Sequence, residues 1–457
     1  MPAAWFAPVY NLAIAGELGA LQAARAAPQA ALARHQAQAL GALLRHAAAT
    51  VPFHRQRLRE YGVVDAAGSV DLTRFSSLPP LTKQELRDHQ ADLVSTSAGH
   101  DARWNASGGS TGEPVRILQD KAHRNASRAG KVMFDAWSGY AYGRRRVVLW
   151  GSPRDQRSRS HWWRPALRRL KNELWLDAYR MGADDLDRHA EAIRRFRPVN
   201  VLGYAESLHE LARHLLARGN TLPSCAGIVA TAGTLHEDAR RDIETAFRTP
   251  VFNRYGSRET GEMAAECTAH AGLHLSPLTH IVEIVRPDGS ACMPGERGEL
   301  VVTPLANRAM PLLRYRIGDE AALAAGECAC GCTWLRLTTV FGRTTDHIVS
   351  ARHGRIHGGA FRFILNEVDW IRTYQIVQAR DGGLKVLLVP VSSEDTTSLL
   401  TRDEPMLRAR LSDLMGEGAS IAFELGAEIP PSASGKRRHV VSQVEATPPP
   451  LAGGAAP

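Results

Sequence analysis

Four short apolar runs, RRVVLW, VNVLGY, AGIVATAG and TPVFNRYG, recur between residues 145 and 256, separated by stretches with helical periodicity. Each run is too short for a buried helix and rich in β-branched residues, so each reads as a buried strand. Strand–helix–strand alternation gives connections long enough to bring successive strands back in parallel. The chain is therefore expected to build an α/β core of mostly parallel strands. From HIVEIV (280–285) to GELVVT (298–303) the strands come closer together across Gly/Pro turns, which predicts a β-rich subdomain. After FGRTTD (341–346) the pattern restarts as small β and α elements. Residues 1–342 are accordingly read as a large N-terminal domain and 343–445 as a small mobile C-terminal domain. Residues 446–457, ATPPPLAGGAAP, are read as a disordered tail. Nearer the N-terminus, residues 30–60 carry the periodicity of an amphipathic helix. Thr82, with Glu85 three residues on, predicts a capping box.

The stretch SGGSTGEPVRIL (107–118) admits two parsings. Gly108, Ser110 and Gly112 spell G-x-S-x-G, the nucleophile elbow of serine hydrolases, which needs an apolar strand before the serine and a helix after it. Here the preceding GHDARWNA is polar, Pro114 follows, and VRIL reads as a strand. Loop-then-strand suits a flexible turn whose amides and hydroxyls gather around phosphate oxygens.

Composition narrows the partners. Of 457 residues 44% are apolar and 23% charged, an ordinary globular balance. The formal net charge of +9 favours anionic partners such as nucleotides, coenzyme A or an acidic acyl carrier protein. No nucleic-acid-binding motif accompanies it. The basic stretch RRLKNELWLDAYR (168–180) reads as a solvated helix face. No run approaches the roughly 18 apolar residues of a membrane span, and the N-terminal residues lack a basic signal-peptide n-region. Of six cysteines, three crowd into CACGC (328–332), a spacing that suits metal ligands better than disulfides. A cytoplasmic protein is expected.

Five further signals share the chain with the glycine loop: TAGT (231–234), YGSRE (255–259), RYRIGD (314–319), FGRTTD (341–346) and PPSASGKRR (430–438). Singly, each is compatible with a turn. In this order they resemble the ANL superfamily of adenylate-forming enzymes, and most closely its phenylacetate–CoA ligase and CapK-like branch. HAAATVPFHRQRL, LPPLTKQELR, ECTAHAGLH, MPLLRYRIGD and YQIVQ strengthen that branch, and the resemblance covers roughly residues 35–445.

The resemblance implies a two-domain α/β fold and an AMP-forming ligase. It would activate a carboxylic acid with ATP and pass the acyl group to coenzyme A or a carrier-protein phosphopantetheine. Ser107, Gly108, Gly109, Ser110, Thr111 and Gly112 would hold the β- and γ-phosphates. Gly233 and Thr234 would line the adenine edge, with Tyr255 stacked on the base and Gly256 beside it. Glu259 would bind Mg2+. Asp319 would take the ribose hydroxyls, with Arg343 adding a contact. Lys436 would reach the carboxylate and the α-phosphate. In this branch a Cys/His pair and a C-x-C-G element imply structural Zn2+ on Cys267, His274, Cys328 and Cys330. Cys332 and His270 are alternative ligands. Two positions depart from the family pattern: Glu113 stands where the loop often has lysine, and Thr345 where the hinge often has Asp or Lys. An aromatic acid is expected, and a homodimer is compatible with the resemblance. Transfer to an amine and a non-catalytic nucleotide-binding scaffold are the competing readings.

Overall fold

The computed structural model describes residues 12–107, 115–150, 168–178, 181–343, 347–350, 352–357, 359–366, 368–392, 395–416, 418–430 and 437–444. The chain divides into two compact units that meet in sequence between Gly342 and Arg343. The expected tail, residues 446–457, lies outside the described residues.

The first unit begins with helices Ala15–Ala24, Gln29–Thr50 and Pro52–Glu60. The long amphipathic stretch is thus two helices. Val51, extended at φ −114°, separates them, because Pro52 removes an amide and disfavours helical geometry in the residue before it. Thr82 and Glu85 form the expected capping box: the Thr82 amide donates to Glu85 Oε2 at 2.8 Å and the Glu85 amide to Thr82 Oγ1 at 3.1 Å. A small hairpin follows, β1 (Arg103–Ala106) and β2 (Arg116–Gln119), and then the helix Lys121–Trp137.

The apolar runs become β3 (Arg146–Trp150), β5 (Asn200–Tyr204), β6 (Gly227–Thr231) and β7 (Val251–Ser257). β4 (Glu173–Asp177) completes a parallel set in the order β4-β3-β5-β6-β7. Of the basic stretch expected as a helix face, residues 168–170 are helical but residues 173–177 form this edge strand, in which Trp175 carries the Arg168 guanidinium 4.1 Å from its ring centre. The bulky Leu-Trp-Leu run favours extended backbone over the helix that its flanking charges suggested. β8 (Gly261–Glu266), β9 (Leu273–Leu275), β10 (His280–Val285), β11 (Gly298–Pro304), β12 (Tyr315–Leu323) and β13 (Arg336–Arg343) continue the same sheet in antiparallel fashion. Eleven strands result, in the order β10-β11-β12-β13-β9-β8-β7-β6-β5-β3-β4.

A buried ion cluster ties helix to sheet. Asp135, near the end of the helix Lys121–Trp137, is 1% exposed and accepts from both terminal nitrogens of Arg146 (2.7 and 2.8 Å) and from Arg254 Nη1 (2.8 Å). Arg146 starts β3, and its guanidinium lies 4.1 Å from the Tyr140 ring centre. Arg254 lies on β7 and also pairs with Glu262 of β8 at 3.3 Å. Burial alone would raise the Asp135 pKa, but the two guanidinium groups overcome it and hold it at about 2, below its ordinary 3.8.

In the second unit, β14 (His347–Ser350) and β15 (Gly354–His357) form a hairpin beside helix Gly359–Asn366. β16 (Ile371–Gln378), β17 (Leu384–Pro390), β18 (Ile421–Leu425) and β19 (Val440–Ser442) make a sheet ordered β18-β17-β16-β19, and helix Thr396–Met415 packs its Leu407 and Leu411 into the same core.

The Asp135 cluster generates a prediction. Asp135→Asn strands two buried guanidinium groups and should cost about 3–5 kcal/mol, read as a lower urea midpoint. A carboxylate with a depressed folded pKa stabilises above its unfolded pKa. That contribution is lost as pH falls from about 4 toward 2. Wild-type stability should therefore decline through that window more steeply than that of the variant.

Candidate functional site

β7 ends in the YGSRE motif, and its Tyr255 hydroxyl donates to Asp319 Oδ2 on β12 at 2.6 Å. Between these strands in the sheet lie β8, β9 and β13. A flat sheet, at roughly 4.8 Å per strand, would hold β7 and β12 about 19 Å apart. The bond therefore requires the sheet to curl, and two residues distant in sequence meet on its concave side. Asp319 is largely buried, 8% exposed. Arg314, from the same RYRIGD motif, does a structural job. Left-handed at φ 49°, it pairs with Glu283 and donates to the carbonyls of Ser76 and Leu78.

Glu259 occupies the tight turn between β7 and β8 and is 5% exposed. Ser257 Oγ organises that turn by accepting from the amides of Glu259 (3.2 Å) and Thr260 (3.1 Å). The β1–β2 hairpin holds it from outside: Asn105 Nδ2 and Gln119 Nε2 both donate to the Arg258 carbonyl, at 3.0 and 2.9 Å. His280 Nε2 donates to the Thr260 carbonyl at 2.8 Å. Burial lowers the pKa of His280 to about 4 and that of the neighbouring His123 likewise, so both are neutral at physiological pH. Gly256 is required by close packing, since a Cβ there would meet the Gly261 carbonyl oxygen at 2.7 Å.

The same hairpin carries the glycine loop. At its neck Ser107 and Val115 pair twice: the Ser107 amide donates to the Val115 carbonyl (2.8 Å), and the Val115 amide to Ser107 Oγ (2.9 Å). Ser107 thus spends one acceptor position on fastening the loop. Gly108, Gly109, Ser110, Thr111, Gly112 and Glu113 lie outside the described residues, as do Thr345 and Lys436. Arg343 ends β13. Immediately after Lys436, Arg437 is buried and donates from Nε to the Ile429 carbonyl at 2.9 Å.

Gly233 and Thr234 follow β6 in a turn whose Ala232 has φ 63°, a conformation that L-residues rarely adopt. A Cβ on Gly233 would come within 2.1 and 2.2 Å of the two Glu206 carboxylate oxygens. Glu206 opens the helix Ala205–Leu216 directly after β5, and sequence reasoning missed it. Its only signal was an acidic residue two positions beyond an apolar strand. Beside it the Trp150 and Tyr204 rings stand 4.2 Å apart at 38°. Asn105 and Gln119 were missed as well, because nothing local distinguishes an amide that braces a distant turn.

Cys267, His274, Cys328 and Cys330 converge with their ligand atoms all within 4.8 Å of one another. Cys267 Sγ and Cys328 Sγ are 3.7 Å apart, and Cys330 Sγ is 3.4 Å from His274 Nε2. A tetrahedral ion with bonds of about 2.3 Å to sulfur separates two sulfurs by about 3.8 Å, so the cluster has the dimensions of a closed metal site. Burial lowers the His274 pKa to about 4, keeping the imidazole in its ligating neutral form. Burial also pushes the Cys267 thiol up to about 12. On Cys330 burial acts the same way, but the Cys332 amide and the neighbouring thiols reverse it and hold that group below the ordinary thiol value. Cys332 turns its amide toward Cys330 Sγ at 3.4 Å, while His270 faces Glu266. The loop after the cluster is pinned to the first helix: Trp334 Nε1 donates to the Ala24 carbonyl at 2.9 Å and Arg25 Nη2 to the Cys330 carbonyl at 3.2 Å.

Comparison with known proteins agrees with this architecture. Residues 348–443 match the family model of the CapK C-terminal domain. Protein CapK of Staphylococcus aureus is 26% identical over 386 residues, covering 82% of this chain and 82% of its own. A phenylacetate-coenzyme A ligase of Thermus thermophilus is 26% identical over 378 residues, covering 78% and 80%. Among solved structures, a 2-hydroxyisobutyryl-CoA ligase in its postadenylation state superposes with a TM-score of 0.68 at 19% identity, covering 92% of this chain and 91% of that one. That likeness is one of fold. The chain is similar over most of its length to CapK and to phenylacetate-coenzyme A ligases, and it shares the fold of the 2-hydroxyisobutyryl-CoA ligase.

Proposed function

We propose that this protein is an ATP-dependent, AMP-forming ligase that joins a carboxylic acid to coenzyme A. The acid's carboxylate attacks the α-phosphorus of ATP, pyrophosphate leaves, and an acyl-adenylate remains. The coenzyme A thiolate then attacks the acyl carbon, and AMP departs. One observation carries the reading: the Tyr255–Asp319 hydrogen bond, at 2.6 Å, joins the YGSRE and RYRIGD motifs, and the braced turn of Glu259 follows Tyr255 directly in the chain. Positioning and charge neutralisation are what the first step demands of a protein.

In this reading Tyr255 and Gly256 flank the base, Gly233 and Thr234 its edge, and Asp319 the ribose, with Arg343 nearby. Ser107 to Gly112 cradle the outer phosphates, so Ser110 is no nucleophile. Glu259 is the magnesium ligand, and bound Mg2+ would supply charge neutralisation across the phosphate oxygens. The net charge of +9 suits a polyanionic acceptor and favours coenzyme A over an uncharged amine; an acidic carrier protein fits the same field. The relatives' named substrate supports an aromatic acid. Cys267, His274, Cys328 and Cys330 hold a structural zinc, whose four protein ligands leave no open position for catalysis.

Acid-dependent exchange of labelled pyrophosphate into ATP tests the first half-reaction. A panel of arylacetic and benzoic acids should drive exchange without coenzyme A, and adding coenzyme A should convert the activated acid to a thioester. Long aliphatic acids complete the panel: no exchange with any acid would reject the ligase reading, and exchange only with the aliphatic acids would reject the aromatic substrate.

Lys436 should divide the two half-reactions, since we assign it to a mobile C-terminal domain that presents it to the α-phosphate. Lys436→Ala should lose adenylate formation by about 100-fold or more yet still transfer acyl groups from synthetic acyl-adenylate to coenzyme A at a near-normal rate. Equal loss in both steps would contradict the assignment.

For the metal, elemental analysis should find one zinc per chain. A strong chelator should lower the melting temperature by about 5 °C or more, with pyrophosphate exchange declining only as the protein unfolds. Zinc-free protein of unchanged stability would exclude a structural ion.

A further inference from the structure

We infer that the amino-terminal end of the parallel sheet is a docking face for a bilayer rich in anionic lipid. The face lies apart from the candidate site, and the inference does not depend on the ligase reading. Two strongly basic stretches meet there, GRRR (143–146) and the RRLK that opens at Arg168, and neither takes part in that site.

β4, β3 and β5 are parallel neighbours that begin level, since Arg146 is in register with Glu173 on one side and Asn200 on the other. Hydrogen bonds hold the segments before them together. Asn172 Nδ2 donates to the Gly143 carbonyl at 2.8 Å, the Arg146 amide to the Asn172 carbonyl at 2.9 Å, and the Val199 amide to the Arg145 carbonyl at 2.8 Å. Arg144, Arg145, Arg169 and Arg197 thereby gather across three strand starts, about 10 Å of sheet width. All four are exposed, and among the described residues no carboxylate pairs with any of them. The segments 143–145, 168–172 and 197–199 contain no acid, and Glu173, at the start of β4, is half-buried and accepts from Trp175 Nε1 at 3.0 Å. Leu170, 45% exposed, stands among the arginines.

Position and chemistry together select the occupant. Small ligands of a parallel sheet bind beyond the carboxyl ends of its strands, where β6 leads to Gly233 and β7 to Glu259. The arginine face is at the other end, so it meets something other than a substrate. Like charges held this close repel one another, and an anionic surface relieves that repulsion. An acidic protein or a nucleic acid would use the guanidinium groups but has no need of an exposed leucine between them. An anionic bilayer uses both: the arginines lie at the lipid phosphates while Leu170 enters the boundary with the acyl chains.

Co-sedimentation of the full-length protein with vesicles tests the inference. Wild type should bind vesicles of phosphatidylcholine and phosphatidylglycerol in equal parts, less so as salt rises, and should not bind phosphatidylcholine alone. Arg144→Gln/Arg145→Gln should bind about 30-fold more weakly, about 5-fold for each arginine. Arg169→Gln/Arg197→Gln should lose as much, which covers the case of one pair failing to fold, and melting temperatures check that. Leu170→Ser should weaken binding by about 5-fold. Arg59→Gln/Arg87→Gln removes the same charge from the N-terminal helices and should change binding by no more than about 2-fold. Absence of binding to the mixed vesicles, or equal weakening by all three arginine pairs, would overturn the inference. Weakening by the two face pairs with Leu170→Ser unchanged would overturn the lipid assignment in favour of a partner read by charge alone.

Discussion

One buried carboxylate ties the helix Lys121–Trp137 to the two strands β3 and β7. Asp135 faces two arginines from different strands in a place where water cannot screen them, so its charge must be met by both guanidinium groups. Arg146 thereby fixes the start of β3 and Arg254 fixes β7, one residue before Tyr255. From Tyr255 the chain continues through Gly256 into the turn of Glu259, whose geometry Ser257, Asn105, Gln119 and His280 complete. A helix end 119 residues from Arg254 in sequence thus bears on where Tyr255 sits. A hydrophobic contact could hold the helix equally well, but it would not fix the direction from which β7 arrives.

The parallel core was legible because its four strands are short, apolar and punctuated by helical periodicity. The convergence of Cys267, His274, Cys328 and Cys330 was legible through the family resemblance, which implied these four with Cys332 and His270 as alternatives. What escaped reading was long-range and polar. Nothing local in RRLKNELWLDAYR says that its middle, Glu173–Asp177, becomes an edge strand. No local pattern marks Glu206 as the carboxylate that covers Gly233, or Asn105 as the brace of a turn near Arg258. Such roles arise when a sheet curls and brings distant segments together, and a sequence window cannot see that. Pro52 shows the converse: a visible breaker inside a strong helical period, which the backbone obeyed.

The Cys/His cluster and the Tyr255–Asp319 pair lie on adjoining strands. Cys267 follows β8 and His274 lies on β9, while β8 pairs with the β7 that bears Tyr255. Through Trp334 and Arg25 the same cluster holds the first helix against Phe134 and Trp137 of the Asp135 helix. A structural ion there would stiffen the face of the sheet behind the site, supporting chemistry from a distance without touching a substrate.

In the proposed reaction the acid's own oxygen attacks the α-phosphorus of ATP. The most direct measurement uses an acid labelled with oxygen-18 in its carboxylate, run through a complete turnover with ATP and coenzyme A, with the products weighed by mass spectrometry. Formation of an acyl-adenylate predicts AMP carrying one labelled oxygen, together with unlabelled pyrophosphate and a thioester that keeps the other. Label found in orthophosphate alongside ADP, or AMP free of label, would contradict it.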